Sequence, residues 1–178
     1  MNIAVFGGSF DPPHLGHEAI VNKAIKTLDI EKLIIVPTYL NPFKTISCFD
    51  ENIRFKLVTN LFSNNPNIQI SNYEIEQRRA TPTIQTIKHL ISQNQNIVKI
   101  YLIIGADNLY NLHLWKDYKE LKKLVTFVVV TRDGIKIDNF QTLNIDFDIS
   151  STKIRENLDI TVIPDKIKQE VSELWKID

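Results

Sequence analysis

The sequence contains a single cysteine, Cys48, and this scarcity excludes two kinds of site. One thiol cannot form an internal disulfide framework, and it cannot build a zinc site from several cysteines. The first residues, MNIAVFGG, lack the basic region and the long apolar stretch of a secretory signal. No apolar segment approaches the roughly 20 residues that cross a bilayer. We therefore expect a cytoplasmic protein with no membrane partner.

The sequence also lacks net charge, because 21 basic residues balance 21 acidic ones. A protein without a positive field is a poor general binder of nucleic acid, so no nucleic-acid partner is expected. Any anion must be held by local groups. With 178 residues the chain can bury one good-sized core, and we expect one domain over residues 1–178. Monomer and homodimer both stay open.

What the sequence does contain is an alternation of apolar runs with helical segments. Apolar runs without polar alternation are typical of strands covered on both faces, as in a parallel sheet. The pattern predicts an α/β fold: a Rossmann-like, doubly wound parallel sheet of five to six strands, with short C-terminal helices over 151–157 and 164–175. The five apolar runs span residues 3–6, 33–37, 68–71, 99–105 and 125–131.

Two loops that follow predicted strands carry residues suited to ligand binding. GGSFDPPHLGH (7–17) follows the first strand, and GAD (105–107) follows the fourth. In an open parallel sheet, ligands bind beyond the carboxyl ends of the strands, where the winding order reverses. A strand order of 3-2-1-4-5 would make the first and fourth strands neighbours, so the two loops would face each other across one crevice.

The first loop has features of an anion site without the spacing of two familiar ones. Gly7 and Gly8 allow the backbone to approach a ligand or to adopt positive φ, and a helix predicted over 15–28 points free amide groups at the loop. The spacing is not G-x-G-x-x-G, which argues against a dinucleotide oxidoreductase, and no Gly-Lys-Ser/Thr follows to make a P-loop. The loop is therefore predicted to bind phosphate in another way.

His14 and His17 are the unusual residues of this loop. Their spacing of three places both on one side of the first helical turn, facing the crevice. Helix capping and packing beneath the loop are the alternative roles. Two histidines also lack the roughly four ligands of a closed zinc site. Because the pair follows a Gly-Gly loop at a strand end, we favour phosphate contact.

Two stretches resemble signatures of the nucleotidyltransferase superfamily. GGSFDPPHLGH is similar to G-x-F-D-P-x-H-x-G-H, and ISSTKIRE (149–156) is similar to I-S-S-T-x-I-R. Within that superfamily, the chain resembles the bacterial nicotinate-nucleotide adenylyltransferase family over nearly its whole length. Further landmarks of the resemblance are VPTYLNPFK (36–44), Arg54, EIEQRRATPT (74–83), IIGADNLYNLHLWK (103–116) and IPDKIKQEV (163–171).

The resemblance implies transfer of the adenylyl group of ATP to nicotinate mononucleotide, with Mg²⁺ carried mainly by ATP. The products would be deamido-NAD and pyrophosphate. The attacking phosphate is already ionised at neutral pH, so such a reaction requires no general base and no covalent nucleophile. Catalysis would consist of aligning two anions and neutralising the charge that builds during transfer.

The resemblance also assigns roles on the ATP side. The two histidines would donate hydrogen bonds to phosphate oxygens, and the hydroxyls and guanidinium of the second signature would bind the β- and γ-phosphates. Ser151 has the alternative role of a plain N-cap, and Lys44 that of a solvated surface lysine. The predicted catalytic residues are His14, His17, Lys44 and Arg155, and the predicted ATP-binding residues are Gly7, Gly8, Ser9, Phe10, His14, His17, Gly105, Asp107, Ser151, Thr152 and Arg155.

On the mononucleotide side the resemblance implies Lys44, Thr83 and Trp115. The indole of Trp115 would stack on the pyridine ring, and the alternative is a core tryptophan. Asp107 would accept hydrogen bonds from ribose hydroxyls, or it would only cap the turn that follows. No protein residue is expected to ligate the metal.

Some positions depart from the family pattern. Phe43 stands where the family commonly has histidine, Pro82 where it has tyrosine, and Gln85 where it has an acid. These departures fall mainly on the mononucleotide side. Two alternatives are therefore kept, an adenylyltransferase acting on another acceptor such as phosphopantetheine, and a non-catalytic sensor of ATP or NAD. An RNA-binding relative is remote, because 178 residues leave no room for a tRNA-binding domain.

Overall fold

A parallel sheet lies at the centre of the protein in its computed structural model. The structure describes residues 1–40, 47–131, 137–145 and 151–176, with the backbone alone for 151–153. Within these ranges the sheet has six strands in the order β3-β2-β1-β4-β5-β6, and every neighbouring pair is parallel. The strands are β1 (Asn2–Gly8), β2 (Lys32–Pro37), β3 (Ile68–Ile70), β4 (Lys99–Gly105), β5 (Thr126–Thr131) and β6 (Gln141–Asn144).

The fold class and the strand order predicted from the sequence are confirmed. Each of the five apolar runs forms a strand, and β1 pairs with both β2 and β4, as the order 3-2-1-4-5 requires. The sixth strand, β6, was outside the five runs because its sequence is QTLN, in which only Leu143 is buried. A short, polar edge strand carries little of the signal by which buried strands are recognised.

The helices cover both faces of the sheet. They are α1 (Leu15–Thr27), α2 (Glu51–Phe62), α3 (Tyr73–Glu76), α4 (Thr83–Gln93), α5 (Tyr118–Leu124), α6 (Ser151–Asn157) and α7 (Asp165–Trp175), with a 3₁₀ segment over Ala106–Leu114. The predicted helix starts and ends agree to within one residue: α1 ends at Thr27, and Pro164 immediately precedes α7. Among the described residues, no helix has the length and apolarity needed to span a bilayer.

The burial of β1 explains why its sequence shows no polar alternation. Ala4 and Phe6 belong to one hydrophobic cluster, with the buried side chains of α1, α2, α6 and α7. Ile3 and Val5 belong to a second cluster on the opposite face, with those of α4 and α5. Successive residues of a strand point to opposite faces, so a strand with helices on both sides must be apolar throughout.

Candidate functional site

A cavity opens at the carboxyl ends of the three central strands. Its volume is about 430 Å³, which lies in the usual range for small-molecule sites. The ends of β1 and β2 are held together there, because the Thr38 amide donates to the Gly8 carbonyl at 3.0 Å. The polar, glycine and tryptophan residues that line the cavity are Gly7, Gly8, Thr38, Glu74, Thr81, Thr83, Thr86, Gly105, Asp107, Asn108, Trp115 and Lys116.

The cavity brings together several residues that the sequence analysis placed in one crevice. Gly7 and Gly8 come from the first loop, and Gly105 and Asp107 come from the loop after β4. These loops are adjacent because β1 and β4 are paired, with Phe6 opposite Ile103. The expectation that the two loops face each other across the switch point of the sheet is therefore correct.

In the first loop, neither glycine takes positive φ. Gly7 and Gly8 are the last residues of β1, and the left-handed conformation falls instead on Phe10, with φ of 49°. A Cβ at Gly8 would lie 3.2 Å from the Phe10 ring, so this glycine provides space for that ring. Left-handed backbone is costly for a bulky residue, and the surrounding packing must hold it in place.

The Phe10 side chain belongs to the core. It is 1% exposed, and its ring makes an edge contact with Phe6 at 5.5 Å and a tilted contact with His17 at 4.8 Å between centroids. Contact between Phe10 and ATP stays a prediction, and because the side chain is buried, such a contact would have to involve the Phe10 backbone. The buried ring packs against the His17 ring and supports it.

The two histidines lie together at the start of α1. Their ring centroids are 3.7 Å apart, and the His14 amide donates to Nδ1 of His17 at 3.2 Å. His14 precedes the first helical residue, so it also occupies the capping position that was considered as an alternative. Because Nδ1 of His17 accepts a hydrogen bond, the neutral ring carries its proton on Nε2. In that tautomer, Nε2–H is a donor suited to an anion.

The two signatures meet at Asp11. Nη1 of Arg155, from α6, donates to the Asp11 backbone carbonyl at 2.7 Å and lies 3.6 Å from Oδ2 of the same residue. Asp11 and Arg155 are separated by 144 positions in the chain. The fold therefore places the second signature against the histidine loop. We refer to Asp11, His14, His17 and Arg155 as the loop cluster.

The carboxylate of Asp11 also holds a third segment. Its Oδ2 accepts from the Cys48 amide and its Oδ1 accepts from the Phe49 amide, both at 2.9 Å. Asp11 is 2% exposed, so these bonds are shielded from water. Lys44, predicted to bind phosphate, precedes this segment and lies outside the described residues, as does Phe43. Asp11 lies within the first motif, but its role as an acceptor could not be predicted from the motif alone.

Arg54 braces the loop cluster from below. Its guanidinium donates to three backbone carbonyls, those of Ser9 at 2.6 Å, Tyr39 at 2.8 Å and Phe49 at 3.2 Å. Burial lowers the pKa of Arg54, and the nearby Asp11 carboxylate opposes that shift. The Arg54 guanidinium nevertheless remains protonated, because the pKa of an arginine is far above neutral pH. This residue, a landmark of the family resemblance, therefore joins the first loop to the chain after β2.

On the β4 side, Gly105 makes room for Asp107. A Cβ at Gly105 would collide with the Asp107 carboxylate. Asn108 Nδ2 lies 3.3 Å from Asp107 Oδ1 and 3.3 Å from the Gly105 carbonyl. Asp107 is exposed at the start of the 3₁₀ segment, so its carboxylate is accessible from the cavity. The position suits an acceptor for ligand hydroxyls.

The cavity wall contains two buried donors that lack hydrogen-bond partners among the described residues. They are the Thr38 hydroxyl and the Trp115 indole N–H, and both residues line the cavity. Buried polar groups are rarely left unpaired in folded proteins, so each exception requires an explanation, and a bound ligand is one. Trp115 is partly buried, packs against the second hydrophobic cluster and also lines the cavity, so it has the core role and its contact with nicotinate stays a prediction.

Glu74 is a buried carboxyl group in the same wall. It is 7% exposed, and Thr86 Oγ1 donates to its Oε1 at 2.6 Å. Burial raises the pKa of Glu74 to about 7, against the opposing effect of the Thr86 hydrogen bond. Glu74 begins the landmark EIEQRRATPT, but its burial was not predicted, because its partner is 12 positions away and its environment depends on the tertiary fold.

For the other residues singled out from the sequence, the structure gives position but few contacts. Thr83 begins α4 and lines the cavity after Pro82. Gln85, one of the departures from the family pattern, accepts from Arg79 Nη2 at 3.0 Å. Ser151 and Thr152 lie in α6, and their side chains are outside the described part of the structure. Among the described residues, no three His, Cys, Asp or Glu side chains are grouped so that they could hold a metal ion.

Comparison with known proteins was made on sequence and on fold. Residues 5–157 match the cytidylyltransferase-like family. A probable nicotinate-nucleotide adenylyltransferase of Sulfurimonas denitrificans is 49% identical over 175 residues, which cover 98% of this chain and 94% of that protein. The corresponding protein of Campylobacter fetus is 51% identical over 178 residues, with 99% and 97% covered.

The fold is similar to that of a solved structure. The nicotinic acid mononucleotide adenylyltransferase of Plasmodium falciparum, complexed with NaAD, superimposes with a TM-score of 0.78 at 23% identity. The match covers 99% of this chain and 96% of that one. At this level of identity the similarity concerns the fold.

Proposed function

Because this chain belongs to the nicotinate-nucleotide adenylyltransferase family, within the cytidylyltransferase-like proteins, we propose that it transfers the adenylyl group of ATP to nicotinate mononucleotide. The reaction makes deamido-NAD and pyrophosphate and serves NAD biosynthesis. The observation that carries the proposal is the hydrogen bond between Arg155 and Asp11, which brings the second signature to the histidine loop.

The chemistry is a displacement between anions. A phosphate oxygen of the mononucleotide forms a bond to the α-phosphorus of ATP, and the bond from that phosphorus to the bridging oxygen of pyrophosphate breaks. No proton has to be removed from the attacking oxygen, because it is already ionised. The protein therefore has to align the two phosphates and stabilise the charge that moves to the leaving group.

In this proposal the loop cluster binds the triphosphate. His17 donates from Nε2–H to the α-phosphate, as its accepting Nδ1 favours. His14 and Arg155 bind neighbouring phosphate oxygens, and a guanidinium suits this task because its N–H groups form a rigid fork. Ser151, Thr152 and Lys44 are proposed to complete the phosphate contacts. Mg²⁺ is proposed to arrive on ATP, held by phosphate oxygens and water, and would neutralise part of the triphosphate charge.

The cavity is proposed to bind adenosine and the mononucleotide at its two sides. Gly105 and Asp107 lie on the β4 side, where the carboxylate can accept from ribose hydroxyls. Thr83 and Trp115 also line the cavity, and the indole face can stack on the pyridine ring. The loop cluster is joined to the cavity through Gly8, which lies against the Phe10 ring that supports His17.

The proposal is tested by incubating the protein with ATP, Mg²⁺ and nicotinate mononucleotide and measuring pyrophosphate and deamido-NAD. Parallel reactions replace the acceptor with nicotinamide mononucleotide or phosphopantetheine. We expect the highest kcat/KM with the nicotinate form. A folded protein that binds ATP and releases no pyrophosphate would instead be a sensor, and faster reaction with phosphopantetheine would identify a different acceptor.

A further inference from the structure

Asp11 is a buried acid in the loop cluster, and no step of the proposed reaction uses it. Its two carboxylate oxygens are occupied by the backbone amides of Cys48 and Phe49, and its carbonyl accepts from Arg155. With 2% of its surface exposed, it cannot touch a substrate directly. Any effect of Asp11 on the reaction must pass through the groups that it holds.

We propose that Asp11 is a positioning residue for adenylyl transfer, which orients the Arg155 guanidinium toward the triphosphate. The proposal rests on the function proposed above. It adds that the second signature binds phosphate correctly only while Asp11 holds its arginine, through a hydrogen bond to the Asp11 carbonyl and an ion pair with the carboxylate 3.6 Å away.

The geometry of the guanidinium supports this role. An arginine side chain has several rotatable bonds and loses much rotamer entropy when it is fixed. Nη1 of Arg155 is held by the Asp11 carbonyl at 2.7 Å and lies 3.6 Å from the carboxylate. Because the guanidinium is planar, fixing Nη1 restricts the directions of the other N–H groups. A pre-oriented fork pays less of this entropy when the triphosphate binds.

The carboxylate is itself held rigidly. Each of its oxygens accepts a backbone amide at 2.9 Å, and those amides belong to a segment that Arg54 holds through the Phe49 carbonyl. Both carboxylate oxygens are therefore fixed by backbone amides beside the Arg155 guanidinium.

A double-mutant cycle separates this role from simple structural support. Asp11→Asn removes the charge and places an amide group against two N–H donors, and Arg155→Gln removes the guanidinium. We expect Asp11→Asn to lower kcat/KM for ATP by about 10 to 100-fold in the native background. In the Arg155→Gln background the same change should cost less than about 3-fold. Equal losses in both backgrounds would overturn the proposal.

Asp50 offers a matched control. Its carboxylate also accepts two backbone amides, those of Asn52 at 2.8 Å and Ile53 at 2.9 Å, at the start of α2. We expect Asp50→Asn to lower the Tm by a few degrees and to leave kcat/KM for ATP within about 3-fold. If Asp50→Asn lowers kcat/KM as much as Asp11→Asn does, the loss is structural and the proposal fails.

Two further arms keep the test decisive. If Asp11→Asn does not fold, Asp11→Glu replaces it in the cycle, because it keeps the charge and displaces the carboxylate by one methylene. The same non-additivity with Arg155→Gln is expected, and additive losses would again overturn the proposal. Calorimetric Kd values for a non-hydrolysable ATP analogue complete the cycle independently of turnover. A wild-type protein that makes no pyrophosphate would defeat the proposed function, while these Kd values still test Asp11.

Discussion

The loop cluster and the cavity treat their buried polar groups differently. In the loop cluster, Asp11 and the supporting Arg54 satisfy backbone groups of segments far apart in the chain. In the cavity wall, the Thr38 hydroxyl and the Trp115 indole N–H have no partner among the described residues. A satisfied polar network fixes geometry, whereas an unsatisfied buried group costs free energy until a ligand completes it. In our proposal, the part that binds phosphate is therefore assembled in advance, and the cavity wall is completed when the mononucleotide binds.

The largest effect is expected from a change in the loop cluster. His17→Ala removes the Nε2–H donor proposed to contact the α-phosphate, and it should lower kcat by about 10³-fold, or about 4 kcal/mol. Steady-state pyrophosphate release measures this loss, and circular dichroism checks that the fold is kept. His89→Ala is the control. His89 lies in α4 and stacks on Tyr73 of α3, and it is outside the loop cluster. A loss of only a few-fold in the His17 variant would contradict its assignment.

A change at Arg54, which supports the loop cluster, should lower the stability of the fold. Arg54→Met keeps much of the side-chain volume and leaves the Ser9, Tyr39 and Phe49 carbonyls without the guanidinium. We expect the free energy of unfolding to fall by about 3 kcal/mol in urea titrations, because buried acceptors lose their donors. Arg79→Met, at an exposed arginine, should change it by less than about 0.5 kcal/mol. Similar values for the two variants would show that Arg54 is not a brace.

Glu74 should make stability depend on pH in a direction that its burial dictates. Its folded pKa is about 7 against an ordinary value of 4.5, so between these values the unfolded chain loses a proton that the folded protein keeps. Stability that is present below pH 4.5 is thus lost as pH rises through 7. Glu74→Gln should remove this loss, which we expect to be about 3 kcal/mol.

The measurement is the free energy of unfolding of both proteins at several pH values from 4.5 to 8. The variant should gain stability relative to the native protein as the pH increases. Glu76→Gln is the control, because Glu76 is exposed on the same short helix and accepts from Asn72. Parallel curves for the native protein and Glu74→Gln would mean that the Glu74 carboxyl has an ordinary pKa in the folded state.

The sequence predicted the parts of the site that are contiguous and missed those that depend on tertiary contacts. His14, His17 and Arg155 lie in short motifs, and each is placed by a local helix start or by the second signature. Asp11 lies in the first motif as well, yet its role depends on partners 37, 38 and 144 positions away. Glu74 was missed for the same reason, since its exposure and pKa follow from how α3 packs.

In the fold as well, features with a local sequence pattern were predicted and those that depend on tertiary packing were not. Buried strands such as β1 are apolar throughout, because both faces are covered, and the sequence pattern identifies them. The edge strand β6 has one buried residue, Leu143, and the pattern contains too little information to distinguish it from a loop. The positive φ of Phe10 was likewise unpredictable, because two glycines lie just before it in the loop and the conformation is imposed by the packing of its ring.

The smallest effect is expected at Thr38, and it sharpens the contrast between the two regions. Thr38→Val replaces the buried, unpaired hydroxyl with a methyl group of nearly the same size. If the hydroxyl forms a hydrogen bond with the bound mononucleotide, KM for that substrate should increase about 5-fold, which corresponds to about 1 kcal/mol. KM for ATP should stay unchanged. Stability should stay equal or increase slightly, because the variant no longer buries an unsatisfied polar group.

Thr59→Val is the control for Thr38→Val, because it removes a similar hydroxyl away from the cavity. Its hydroxyl is also buried without a partner among the described residues, but it lies in α2 and does not line the cavity. Thr59→Val should therefore have the same effect on stability as Thr38→Val and no effect on either KM. If both variants leave KM unchanged, unpaired hydroxyls in this protein are a feature of packing, and the cavity wall is as complete as the loop cluster before any ligand binds.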